Sequence, residues 1–111
     1  MMRLEWKPMA LTDRENIMDY ISQDNPRAAI ALDDEFETAA ERACYSPDMY
    51  KAGRIKGTRE LVVRPHYILI YQTEGDVLTV LRVLHAAPCL TEFSAVAAHN
   101  PYMVALYSNL I

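Results

Sequence analysis

Residues 66–85 read HYILIYQTEGDVLTVLRVLH, two apolar runs joined by a Gly-centred turn. Runs of this length, rich in β-branched and aromatic residues and hinged on EGD (74–76), predict an antiparallel hairpin with strands over 67–72 and 77–84. YILIY is apolar at both odd and even positions, so both faces of that strand are covered, as in the centre of a sheet. TRELVV (58–63), set off by Pro65, adds a third strand and makes the segment an antiparallel meander.

The rest of the chain supplies the second layer. RLEWK (3–7) alternates and stops at Pro8, which reads as a short first strand. From about Ala10 to Gln23, Leu11, Ile17, Met18 and Ile21 fall near one face of a helix, and Asp13 and Glu15 suit the positive end of its dipole. DNP (24–26) is the clearest punctuation: Asn25 is a good N-cap and Pro26 fits the first helical position. The helix that starts there runs to about Cys44. Ala28, Ala29, Leu32, Phe36, Ala39, Ala40 and Ala43 fall on one side of it, and Asp33, Asp34, Glu37 and Glu41 on the other. The short link predicts an antiparallel helical hairpin. Burying Leu32 and Phe36 contributes roughly 1.5–3 kcal/mol each toward holding the pair on a sheet. SPDMYKAGRIKG (46–57) reads as a connector. The expected order is β-α-α-β-β-β, an α+β fold with both helices on one sheet face.

A chain of 111 residues with net charge −4 fits one domain and is not drawn as a whole to nucleic acid or acidic membranes. The acids concentrate in 13–42 and the bases in 51–82. This pattern means either two solvated faces of opposite sign or a modest site for an anionic partner in the second half. Cys44 and Cys89 have no CxxC spacing, and His66 and His99 have no ligand spacing, so no disulfide framework, metal or cofactor is expected. MMRLEWKPM has no signal-peptide core and no run of about 20 apolar residues occurs, so a cytoplasmic location with no membrane contact is expected. Residues 88–111 carry two apolar segments, TEFSAVAAH and NPYMVALYSNLI. They are expected to form a helical C-terminal extension that seeks cover on the sheet, on a second copy in a homodimer, or on a partner.

The polar residues of the meander are the candidate contacts. Arg64 precedes Pro65 and is either a turn charge or a partner contact. Arg82 lies inside an apolar strand, either reaching round the sheet face or touching a partner. His85 closes the last strand, as a hydrogen-bonding cap or as a group able to exchange protons near neutral pH. Tyr67 and Tyr71 share one strand face by their even spacing and read as core or partner contact rather than as stacking platforms for nucleotides.

GRIKGTRELVVRPHYILIYQTEGDVLTVLRVLH, with DNPRAA and the opening LEW, resembles the RelE/ParE superfamily of toxins from type II toxin–antitoxin and plasmid-stabilisation modules. The likeness implies a toxin domain over 1–87 and a cognate antitoxin as partner, with Tyr67, Tyr71, Leu32 and Phe36 as antitoxin-contact candidates. It also implies one of two activities, ribosome-dependent mRNA cleavage or non-nucleolytic inhibition of DNA gyrase.

RelE-like nucleases carry an arginine directly after the aromatic residue that opens the central strand; here that position is Ile68. The second basic residue usual just beyond the last strand is replaced by Ala86 and Ala87. Losing one charge-stabilising donor costs a transition state about 3–4 kcal/mol. The expectation is therefore a gyrase inhibitor with no catalytic residue, contacting its target through Arg59, Arg64, Arg82 and His85. The alternatives are an mRNA interferase acting on ribosome and message, and an inactive antitoxin-binding remnant.

Overall fold

The computed structural model describes residues 1–64 and 66–85, so the tail from 88 onward lies outside the described residues. The elements run β1 (Arg3–Trp6), α1 (Pro8–Ser22), α2 (Pro26–Tyr45), β2 (Lys51–Ala52), β3 (Arg59–Val63), β4 (Tyr67–Glu74) and β5 (Val77–His85). They form one sheet in the order β1-β5-β4-β3-β2. β4 takes the central place that its two apolar faces require. β3, β4 and β5 form the expected antiparallel meander, and β1 pairs in parallel with β5.

The turns follow from local chemistry. Gly75 has φ 60° in the two-residue link between Glu74 and Val77, a conformation that glycine adopts without penalty. Asn25 caps α2 by accepting the Ala28 N–H at 3.1 Å, with Pro26 in the first turn. Pro8 opens α1 two residues earlier than the periodicity indicated, because proline is tolerated where a helix has no N–H to satisfy. β2 was read as part of a connector. It forms because Gly53 and Thr58 close a short hairpin, with Gly53 N–H donating to Thr58 O at 2.7 Å. A Cβ on Gly53 would stand 2.1 Å from Thr58 Oγ1, so only glycine fits.

Both helices cover one face of the sheet. Leu32, Phe36, Ala39, Ala40 and Ala43 of α2 meet Leu61, Val63, Leu69, Tyr71, Leu78, Val80 and Val83, with Ala10 from α1. The register slips at Leu81: Ile70 pairs with Arg82, but Tyr71 pairs with Val80. That extra residue is why Val80 and Val83, three apart, both enter the core. On α1, Ile17 and Ile21 pack against the core as expected. Leu11 does not. It lies 46% exposed, because the face presented to the sheet is centred on Ala10 and Asp13.

Candidate functional site

Strand register decides which candidates meet. Val63, Tyr67 and His85 lie side by side across β3, β4 and β5, so Arg64, His66, Tyr67 and His85 share one end of the sheet. We call this end the rim. Arg59 pairs with Tyr71, nearer the other end of β4, and Arg82 pairs with Ile70 in mid-strand. Of the four candidate target contacts, the fold brings together Arg64 and His85 and separates Arg59 and Arg82 from them.

The three arginines are each engaged within the chain. Arg82 is buried, and its Nε and Nη2 donate to Asp13 at 2.7 and 2.9 Å. Asp13 Oδ2 also accepts the Val83 N–H at 3.0 Å. β1 accompanies β5 only as far as Val80, so beyond it the carboxylate takes the place of a strand neighbour. Asp13 is therefore a buried partner for β5; because α1 starts at Pro8, it lies beyond the first turn and does not serve the helix dipole as expected. Neither sequence-based reading of Arg82, reaching round the sheet or contacting a partner, describes it. Arg59 ties down the connector, donating to Tyr50 O at 2.7 Å and lying 3.5 Å from Asp48. Arg64 donates through Nε and Nη2 to Glu35 at 2.5 and 2.7 Å on the exposed surface. Its φ of 59° is a left-handed conformation uncommon outside glycine, asparagine and aspartate.

Carboxylates likewise meet Lys51 and Arg54, both within 4.0 Å of the buried Glu60. The acids of α2 are not simply a solvated face. Asp33 and Glu37 clasp Arg14 of α1 at 2.8 Å each, and the Arg14 guanidinium lies 4.4 Å over the ring of Trp6. The charge division of the sequence is thus folded into cross-element ion pairs. It does not produce an unopposed cationic surface among these five bases.

The rim holds several titratable groups with shifted pKa values. His85 is half-buried against Tyr67, ring centres 5.0 Å apart, and His66 stands 5.9 Å away. Burial, and then the nearby His66, lower the His85 pKa and favour neutral imidazole. Burial raises that of Tyr67 against the opposing pull of Arg64, which keeps its hydroxyl protonated. The hydrogen bond from Arg64 lowers the Glu35 pKa. This end of the sheet therefore offers a neutral imidazole and a phenol, and Arg64 there is already paired with Glu35.

The four antitoxin-contact candidates divide sharply. Leu32 and Phe36 are 2% and 1% exposed. Tyr71 is buried too: its hydroxyl donates to Pro47 O at 2.6 Å, and burial pushes its pKa up to about 12. Tyr67 alone keeps accessible surface, edge-on to Phe36 at 5.6 Å. Beside it, α2 and β3 bound a groove of about 400 Å³ lined by Glu35, Thr38, Arg42, Tyr50, Val62 and Arg64. Sequence reasoning set His66 aside for want of ligand spacing and read Asp13 as a helix-dipole residue. Aligning His85 opposite Tyr67 exposes the first. The second sits at helical spacing from Ala10 and Ile17, on the buried side of α1.

With two helices on one face of a meander joined by a parallel first strand, the fold defines the class. Residues 4–87 match the family described as ParE toxin of type II toxin-antitoxin system, parDE. The Caulobacter vibrioides toxin RelE2 is 35% identical over 89 residues, covering 78% of this chain and 98% of the relative. The Sinorhizobium fredii protein Y4kP is 38% identical over 85 residues, 76% and 88% of the two chains. Among solved structures, the chromosomal ParDE system of P. aeruginosa superposes with a TM-score of 0.69 at 19% identity, covering 78% and 98% of the chains.

The chain belongs to this family, and so to the RelE/ParE superfamily of type II toxins. Its fold is theirs, and a cognate antitoxin is the partner that membership implies. No helix among the described residues is long and apolar enough to cross a membrane.

Proposed function

We propose that the protein is a ParE-like toxin that acts in the cytoplasm by binding DNA gyrase without cutting nucleic acid, and that an antitoxin neutralises it. The observation that carries this reading is the state of the cations around β4. Ile68 stands where an RNA-cutting relative is expected to carry arginine. The candidate at this end of β4, Arg64, directs its Nε and Nη2 at Glu35. Stabilising a phosphorane takes a guanidinium fork aimed at the phosphate oxygens, and Arg59 and Arg82 are held elsewhere by Tyr50 and Asp13.

Tyr67, the exposed Val62 and the groove between α2 and β3 form the surface on which a partner segment finds both apolar area and hydrogen-bonding edge. The test is a gyrase supercoiling assay with purified protein. Inhibition, or trapping of cleaved DNA, at micromolar concentration is expected. Unaltered supercoiling at that concentration, with a folded protein, removes the proposal.

One observation favours a second reading. Neutral His85 against protonated Tyr67 is a serviceable acid–base pair, as a RelE-like nuclease would need. The cation beside it, Arg64, is paired with Glu35, and for that reason this reading ranks second.

A further inference from the structure

His66, in the turn between β3 and β4, and His85, at the end of β5, are neighbours at the rim, with ring centres 5.9 Å apart and planes tilted by 49°. Imidazole nitrogens bind transition ions at about 2.0–2.1 Å, and a ring centre lies about 1.2 Å behind its nitrogen. Two imidazoles sharing one ion at tetrahedral to linear angles therefore hold their centres roughly 5–6.5 Å apart, and 5.9 Å corresponds to an angle of about 130°. The observed spacing falls in that window. We propose that His66 and His85 form a two-histidine site for a borderline divalent transition ion (Ni2+, Cu2+ or Zn2+), with water filling the remaining positions.

The surroundings suit such a site. Tyr67 is the strand partner of His85 and packs on its ring at 5.0 Å, so one ligand is already oriented. The other, on exposed His66, can turn to complete the pair. An all-nitrogen donor set selects these ions over Mg2+ and Ca2+, which take oxygen ligands. No group of three or more His, Cys, Asp or Glu among the described residues could hold an ion, so the site is open and exchangeable and not a closed structural centre. An ion here ties the β3–β4 turn to the last residue of β5. It also adds positive charge to a rim whose arginine is neutralised by Glu35. The site is independent of whether the toxin acts on gyrase or on the ribosome.

The test titrates Ni2+ into the untagged full-length protein while recording amide resonances, with affinity measured by calorimetry. Paramagnetic broadening should centre on His66, Tyr67 and His85. His66→Gln and His85→Gln should each weaken binding by at least the order of 10–100-fold that loss of a mere supporting group costs a metal site. His66 is a surface turn residue, so its variant keeps the fold, which the unbroadened spectrum verifies. His99→Gln should bind like the parent. Broadening centred elsewhere, undiminished binding in His66→Gln, loss of binding in His99→Gln, or no binding at millimolar Ni2+ would each overturn the proposal.

Discussion

Arg82 and Arg64 make nearly the same contact, two guanidinium nitrogens on two carboxylate oxygens at 2.5–2.9 Å, in opposite surroundings. The Arg82–Asp13 side chains are 9% and 7% exposed and those of Arg64–Glu35 are 44% and 43%. Geometry alone would rank the pairs as equals, but desolvation separates them. In the buried pair the two charges are desolvated together, and Asp13 also accepts the Val83 N–H of β5. The exposed pair is solvated on all open sides, so water readily substitutes for either partner. The first pair holds α1 to the sheet. The second decides whether a cation at the rim is available to a target.

Asp13→Ala breaks the comparison on its stronger side. It takes the carboxylate from both the buried Arg82 guanidinium and the Val83 N–H, and a loss of about 3–5 kcal/mol in urea unfolding is expected. A loss below about 1 kcal/mol would show that water or another group reaches Arg82. Replacing both partners, Asp13→Leu with Arg82→Met, should recover much of that loss, since a buried pair exchanged for apolar volume is often neutral. Failure of the double variant to exceed Asp13→Ala in stability would make Val83 capping the dominant role.

Glu35→Gln acts on the weaker side. Its stability cost should stay within about 0–1 kcal/mol, the range of exposed pairs, and should shrink as salt is added. The pH response of the rim is smaller again. His85 has a lowered pKa in the folded protein, so its contribution is fully present above the unfolded value of about 6.5. That contribution is lost as pH falls from there through the folded value, because the unfolded chain takes up the proton first. Unfolding curves at stepped pH should show this decline, and His85→Gln should flatten it.

The same contrast explains what was legible in the residues. Local signals carried the hairpin: the EGD turn, the doubly apolar β4 and the DNP start of α2 are each written within a few positions. The alanine-rich face of α2 followed from periodicity. β2 was not legible because two residues carry no period, and its existence rests on the close approach of Gly53 to Thr58. The Leu81 slip was hidden because VLTVLRVL alternates acceptably in either register.

Asp13 and Arg82 are separated by 69 positions. Only the packing of α1 along the open end of β5 brings them together, so Asp13 looked like an ordinary helix-dipole residue. For the site, the residues pointed to Arg64 and His85 near the meander, but the register that sets Tyr67 beside His85 was not read. Arg59 and Arg82 were grouped with them by charge alone, and charge does not encode which carboxylate a folded chain will present.

The central claim is that the protein acts by binding a target and not by cutting a message. Mapping of transcript 5′ ends after induced expression tests it most directly. Intact messages, with no ends accumulating in phase with codons while growth stops, are predicted. Codon-phased cleavage that disappears in His85→Gln would contradict the account.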